Sequence, residues 1–254
     1  MKYLIANWKM SLSLSQSKEL ATAFIKTFSN KQSQNITVGV APSIIAMQSI
    51  TEIFNNTQIK TVSQNIHWAD SGTFTGETSN IQLKELGCQI SLVGHSERRI
   101  IFKEDNSIVS KRFVGALNSG ILPVLCIGET AAERKSNKTF EVLTEQLSAC
   151  ASAMKENNIK ETPFLIAYEP VWAISDGTNP TPATAEDVRI THAFIFEKTP
   201  EIFGYQSSAL IYGGSANPNN AAELSALAHV DGFLVGGASL DAEKFGKVWD
   251  GLAI

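Results

Sequence analysis

The feature that most constrains the fold of this chain is a regular alternation of short apolar runs and longer amphipathic stretches along its 254 residues. The short runs are nearly continuous in apolar residues, which is typical of strands buried on both faces of a parallel sheet. The alternation predicts eight strands, at residues 3–7, 37–41, 60–64, 90–93, 122–127, 164–168, 209–212 and 232–235. It also predicts eight helices, over residues 14–28, 43–54, 80–86, 106–119, 139–157, 183–198, 218–228 and 240–249. Eight consecutive βα units favour an α/β fold in which a parallel eight-stranded sheet closes into a (β/α)8 barrel.

Length and composition agree with one folded domain. No Pro- or Ser-rich linker divides the chain, and barrels of this kind commonly use about 250 residues, so residues 1–254 are expected to form a single barrel domain. The net charge of −4 argues against nucleic acid or an acidic membrane as a partner. No targeting segment is predicted, and no apolar run reaches the ~20 residues that span a bilayer. Three widely spaced cysteines without a C-x-x-C pair indicate reduced thiols and a cytoplasmic protein.

A carboxylate stands where the sixth predicted strand ends. Glu169 follows an apolar run, and Pro170 then prevents the strand from continuing. A charge at the carboxyl end of a buried strand is costly unless it has a task, and barrels place their chemistry at this end. Glu169 could cap the strand or form an ion pair, or it could be a catalytic group. The connector 170–180 carries Gly177 between rigid ends, a composition that suits a lid over a pocket.

Other strand ends carry further candidates. Lys9 follows the first strand, where a lysine is either a solvated charge or part of an anion site. His95 follows the fourth strand with Ser96 as a predicted helix cap, so the positive end of the helix dipole would keep the imidazole neutral. A lone histidine is otherwise more often structural. Glycine pairs at 213–214 and 236–237 follow the last two strands, where barrels bind phosphate through main-chain N–H groups, although each pair alone indicates only a turn.

Seven ordered segments across the chain resemble those of the triosephosphate isomerase family. They are residues 6–9 (ANWK), 74–77 (FTGE), 93–99 (VGHSERR), 126–129 (CIGE), 167–174 (AYEPVWAI), 212–215 (YGGS) and 231–240 (DGFLVGGASL). The resemblance implies that the chain interconverts dihydroxyacetone phosphate and D-glyceraldehyde 3-phosphate through an enediol(ate), in glycolysis and gluconeogenesis. No cofactor and no metal is implied.

The resemblance also implies roles for individual residues. Glu169 would be the general base, His95 the neutral electrophile and Lys9 the electrostatic stabiliser of the anionic intermediate. Asn7 would hydrogen-bond near the reacting oxygens, and Glu97 would orient Lys9. The substrate phosphate would rest on main-chain N–H groups near Ser175, Ser215, Gly236 and Gly237.

The lid is where the chain departs from the family pattern. The family's usual Gly-Thr-Gly tip and Lys-Thr-Ala hinge are replaced by Ser-Asp-Gly-Thr-Asn-Pro at 175–180. Asp176 places a carboxylate near a dianion, and Pro180 stiffens the second hinge. We expect lid closure to be slower, or its equilibrium to be shifted, with the chemistry intact.

The loop after the third predicted strand is the candidate for assembly. Residues 64–79 lack a regular pattern, and Phe74 stands there between glycines, so the loop either packs on itself or docks into another subunit. The resemblance implies a homodimer in which this loop inserts beside the partner's active site. Arg98 would pair with Glu77 across the contact, whose residues would be Met10, Gln64, Phe74, Thr75, Glu77 and Arg98.

Two other classes of protein remain open from the sequence. One is a non-catalytic sugar-phosphate-binding dimer with the same fold, which loss of Glu169, His95 or Lys9 would have favoured. The other is a different phosphate-binding barrel enzyme, such as an aldolase or a tryptophan-pathway isomerase. An aldolase would need a lysine at the carboxyl end of a strand inside the barrel, and the predicted strands carry none there; Lys9 lies just past the first strand.

Overall fold

The computed structural model describes residues 1–31, 35–174 and 182–253. Eight strands form a closed barrel in which each strand pairs with the next along the chain and the last returns to the first. All pairings are parallel. The strands are β1 (Lys2–Asn7), β2 (Ile36–Ala41), β3 (Lys60–Ser63), β4 (Ile90–Val93), β5 (Leu122–Ile127), β6 (Leu165–Tyr168), β7 (Ala209–Tyr212) and β8 (Gly232–Val235).

Helices occupy the connections between the strands. Short 3-10 helices at Val171–Ala173 and Gly237–Leu240 follow β6 and β8. The α-helices within the described ranges are α1 (Leu14–Phe28), α2 (Ile44–Phe54), α3 (Asn80–Glu85), α4 (Ser96–Ile100), α5 (Asn106–Ser119), α6 (Ala131–Lys135), α7 (Thr139–Glu156), α8 (Ala185–Phe203), α9 (Ala221–Ser225) and α10 (Ala242–Leu252).

The predicted (β/α)8 barrel is confirmed, and every predicted strand lies within one residue of its observed bounds. The helices differ more. The helix predicted over 183–198 continues to Phe203, where Gly204 in the left-handed conformation ends it, whereas the one predicted over 218–228 spans only Ala221–Ser225. The short helix α6 was not predicted, and α4 was predicted only through its expected cap at Ser96, because five residues are too few to show a helical period.

Buried side chains form two layers on either side of the sheet. Along β6, Leu165 and Ala167 point into the barrel, whereas Ile166 and Tyr168 pack against the surrounding helices. This alternation is the two-residue period of a strand. If the alternation continues for one more residue, the side chain of Glu169 points toward the barrel axis at the carboxyl end of β6.

None of the helices within the described ranges is long and apolar enough to cross a membrane.

Candidate active site

The parallel strands bring their carboxyl ends to one mouth of the barrel, so residues far apart in sequence meet there. Asn7 ends β1, His95 follows β4 and Glu169 follows β6. All three are buried polar residues. Removing these polar groups from water is costly unless they form hydrogen bonds, and those hydrogen bonds fix the orientation of each side chain.

Glu169 is held on one oxygen and directed at His95 with the other. Its main-chain N–H donates to Ile127 O at 2.7 Å, which continues the β5–β6 ladder. Oε2 accepts a hydrogen bond from Ser96 N at 2.7 Å. Oε1 lies 3.2 Å from His95 Nε2, but it has no well-aligned hydrogen-bond partner in the described part of the chain. The carboxylate therefore keeps one oxygen free for exchange with a bound molecule.

His95 is the N-cap of α4. Its Nδ1 accepts a hydrogen bond from Glu97 N at 3.3 Å, so Nδ1 carries no proton and the neutral ring is protonated on Nε2. The expectation that Ser96 caps this helix is wrong, because Ser96 is the first helical residue and its N–H binds Glu169. The expected position of His95 at the positive helix end agrees with the structure.

Lys9 is placed by a strained main-chain turn and by an ion pair. It has a φ of 51°, a left-handed conformation that is uncommon outside glycine, and its N–H donates to Asn7 Oδ1 at 3.0 Å. Its Nζ lies 2.6 Å from Glu97 Oε1. Because both side chains are partly exposed, the pair adds little to stability, and its main effect is to orient the amine.

A cavity of about 160 Å³, which we call the mouth cavity, unites most of the predicted site. Asn7, Lys9 and His95 line one wall, and the glycine-rich ends of β7 and β8 line the other. The second wall includes Ser215, Gly236 and Gly237, the last of which begins a 3-10 helix whose first N–H groups have no partner within that helix. Ser175 and the lid tip 175–180 lie outside the described residues.

Glu169 adjoins the mouth cavity across Gly213. A methyl group on Gly213 would lie 2.8 Å from Glu169 Cγ. Glu169 itself lines a second space of about 300 Å³, which we call the back cavity and which Gly128 and Gln146 also line. Within the described ranges, no group of three or more His, Cys, Asp or Glu side chains is placed to hold a metal ion.

A polar cluster beneath the start of the lid connector was missed by the sequence reasoning. Glu129, which is fully buried, accepts hydrogen bonds from Trp172 Nε1 at 2.8 Å and Tyr168 OH at 3.2 Å. The guanidinium of Arg134 lies over the Trp172 ring and binds Glu129 at 3.3 Å. Burial beside Glu129 raises the pKa of Tyr168. The sequence carried a signal for Glu129, since it lies two residues after the end of a buried strand and Glu169 lies one residue after another.

Four of the residues predicted for assembly line a third space. This side cavity of about 360 Å³ is lined by Met10, Gln64, Glu77 and Arg98, and it touches Lys9, His95 and Glu97 from the outside. Gln64 Nε2 donates to Lys9 O at 2.8 Å and Ala41 O at 2.9 Å.

Within one chain, the two charged members of the predicted contact have other partners. Arg112 binds Glu77 at 2.7 Å, and Glu104 binds Arg98 at 2.6 Å. Phe74 packs against His67 of its own loop, with 4.1 Å between ring centres and the rings tilted by 40°. The loop therefore packs on itself, and its docking into a second copy stays a prediction.

These features define a class: a (β/α)8-barrel protein whose mouth joins a buried carboxylate and a neutral imidazole to a lysine and a glycine-lined cavity. Comparison with known proteins gives the family. The family model described as triosephosphate isomerase matches residues 2–251. The chain belongs to the triosephosphate isomerase family.

Individual relatives agree with this placement along nearly the whole chain. The triosephosphate isomerase of Thermodesulfovibrio yellowstonii is 37% identical over 249 residues, covering 97% of this chain and 98% of that protein. That of Aquifex aeolicus is 38% identical over 251 residues, with 97% and 98% covered. A crystal structure of the Bartonella henselae triosephosphate isomerase matches with a TM-score of 0.84 and 34% identity, covering 100% of this chain and 99% of that one.

Proposed function

We propose that this chain interconverts dihydroxyacetone phosphate and D-glyceraldehyde 3-phosphate through an enediol(ate), with no cofactor. The observation that carries the proposal is the approach of Glu169 Oε1 to within 3.2 Å of His95 Nε2, beside a cavity that contains Lys9. Moving a carbonyl between adjacent carbons needs one base for a carbon-bound proton and one donor for the oxygen that becomes negative.

In this mechanism, Glu169 removes a proton from one carbon of the substrate and returns it to the neighbouring carbon. The Nε2–H of His95 donates to the carbonyl oxygen as it becomes negative, and through the same ring atom a proton passes from the neighbouring hydroxyl oxygen to the former carbonyl oxygen, which completes the exchange. Lys9 balances the negative charge, oriented by Glu97, and Asn7 binds near the reacting oxygens. The buried position of Glu169 supports this assignment, because water would otherwise compete for the base.

The phosphate group would bind at the glycine-rich wall of the mouth cavity. Ser215, Gly236 and Gly237 would offer main-chain N–H groups there, and Lys9 stands across the same space. Ser175 is proposed as a fourth contact from the lid 170–180, on the family pattern alone.

We further propose that the protein is a homodimer joined at the side cavity. Met10 is 94% exposed beside it, and Ile44 and Phe102, which also line this cavity, are exposed as well. Asn65 lines this cavity, and its buried Oδ1 has no hydrogen-bond partner in the described part of the chain. The Phe74 loop of a second copy, with Thr75 and Glu77, would cover this surface and complete the wall behind Lys9 and His95.

We also infer that residues 1–254 are one barrel domain and that the protein is cytoplasmic. Three free, buried cysteines support a reducing compartment, because none of them is paired.

A coupled assay tests the proposed reaction. Wild-type protein should convert D-glyceraldehyde 3-phosphate into dihydroxyacetone phosphate without added metal or cofactor, and inorganic phosphate should inhibit competitively. Binding of the triose phosphate without turnover by folded protein would contradict the proposal and favour a non-catalytic binding protein.

A further inference from the structure

We propose that Gln146 is a positioning residue for Glu169 and that it acts through the main chain of Gly128. The inference rests on the proposed function, which makes Glu169 the base. Gln146 lies on α7 and is not one of the described residues that line the mouth cavity. Its effect on the reaction must therefore pass through other residues.

The side chain of Gln146 binds Gly128 on both of its main-chain groups. Oε1 accepts a hydrogen bond from Gly128 N at 2.9 Å, and Nε2 donates to Gly128 O at 3.1 Å. Both residues are buried, so these bonds satisfy main-chain groups that water does not reach. Only a side chain that donates and accepts at once can form this pair of bonds.

Gly128 in turn packs directly on the main chain of Glu169. A methyl group on Gly128 would lie 1.7 Å from Glu169 O and 2.7 Å from Glu169 C. Beside this contact, Glu169 N donates to Ile127 O at 2.7 Å and Val171 N donates to Glu129 O at 3.2 Å. The segment around Gly128 thus supports the base, and a displacement of Gly128 moves Glu169 with it.

The back cavity is the reason that Gly128 needs a polar restraint. Gln146, Gly128 and Glu169 all line this space of about 300 Å³, so van der Waals packing alone does not hold the segment on that side. The oxygens of Glu169 stand 2.7 Å from Ser96 N and 3.2 Å from His95 Nε2. Misplacement of a catalytic group by about 1 Å lowers a rate by up to about 100-fold.

The test compares steady-state kinetics of Gln146→Leu and Gln206→Leu. Gln206 is a matched control because its amide also donates to one main-chain carbonyl, at 2.9 Å, and accepts from one main-chain N–H, at 3.0 Å. It precedes β7, at the opposite end of the barrel from the mouth.

We expect kcat of Gln146→Leu to fall by about 10- to 100-fold, while KM and the inhibition constant of inorganic phosphate stay within about twofold. Gln206→Leu should keep the wild-type kcat. An unchanged kcat for Gln146→Leu, or equal losses in both variants, would overturn the inference.

A second variant, Gln146→Glu, gives a pH readout in a side chain of the same shape. When protonated, the new carboxyl group can accept from Gly128 N and donate to Gly128 O, as the amide does; when ionised it repels Gly128 O. The ratio of its kcat to that of wild type should therefore rise as the pH falls. A ratio that is constant with pH would overturn the inference, and this titration decides the question if Gln146→Leu does not fold.

Failure of the proposed function has a different signature. Wild-type protein without isomerase activity would remove the role of Glu169 as base, and the restraint would then be judged from crystal structures of the two leucine variants. We expect the 2.7 Å contact between Ser96 N and Glu169 Oε2 to be lost in Gln146→Leu and kept in Gln206→Leu. An unmoved Glu169 would overturn the inference whatever the activity.

Discussion

At the scale of single residues, the proton of His95 is placed by the main chain of Glu97. Since Nδ1 accepts the Glu97 N–H, the neutral ring has its proton on Nε2, the atom that faces Glu169. The His95 residue also lines the mouth cavity. A donor fixed in this direction needs no reorganisation when an oxygen beside it becomes negative, which is the arrangement that electrostatic stabilisation requires.

His95→Ala should therefore lower kcat by about 10²- to 10³-fold, the usual cost of removing one donor to a developing oxyanion. KM should change much less, because the phosphate wall of the mouth cavity is untouched. The measurement is the coupled isomerase assay, with circular dichroism to show that the variant is folded. A loss of less than tenfold would mean that another group donates to the oxygen.

The sequence predicted the residues that stand immediately after a strand, and it missed Gln146, which we infer acts on one of them. Glu169, His95 and Lys9 could be found because charge or imidazole at a buried strand end is costly without a task. Gln146 could not be found in this way, because its inferred effect depends on where helix α7 places its side-chain amide. The cap of α4 was assigned to Ser96 by residue preference, whereas the imidazole of His95 takes that position.

At the scale of elements, α8 carries a titratable group in the layer between helices and sheet. His192 is fully buried against the rings of Tyr168 and Tyr212, and its Nδ1 lies 2.8 Å from His229 O. Burial lowers the pKa of His192 to about 4. The folded protein therefore holds this ring neutral, with Nδ1 as the donor to His229 O.

Stability should fall as the solution becomes acidic. An unfolded histidine takes up its proton near pH 6.5, whereas folded His192 does so only near pH 4, so its contribution is complete above pH 6.5 and is lost between these values. The size is roughly 3 kcal/mol at most. Urea unfolding at pH 7 and pH 5 measures it, with His192→Asn as the control that keeps a donor but does not titrate. Identical pH dependence in both proteins would contradict this account.

Strand positions were predictable because most strands are buried apolar runs bounded by a polar residue or glycine. Helix ends were less predictable than strand ends. Helix α9 is shorter than the amphipathic segment that predicted it, and α8 continues through Pro200 until Gly204 ends it. The replaced lid tip at 175–180 lies outside the described residues, so its effect on closure stays a prediction.

At the scale of the whole molecule, the side cavity predicts assembly. Met10→Lys places a charge on the most exposed side chain of this surface and should shift the protein from dimer to monomer, with a parallel loss of activity. Ile190→Lys on α8 is the matched control, since Ile190 is also exposed but lies away from the side cavity. Sedimentation velocity measures both variants. A monomeric wild type, or a Met10→Lys variant that remains dimeric, would contradict the proposed interface.

The barrel itself was predictable because eight βα units of similar length leave little choice of topology. The proposed interface was not predictable from pattern alone and was inferred from the family resemblance. In the structure, Met10 lines the side cavity together with Lys9 and His95.

The most direct test of the central claim is the turnover of Glu169→Gln beside wild type in the coupled isomerase assay. The amide keeps the shape of the side chain but cannot take a proton from carbon, so kcat should fall by about 10²- to 10⁴-fold with little change in phosphate inhibition. A folded Glu169→Gln protein with kcat within tenfold of wild type would contradict the assignment of Glu169 as the base.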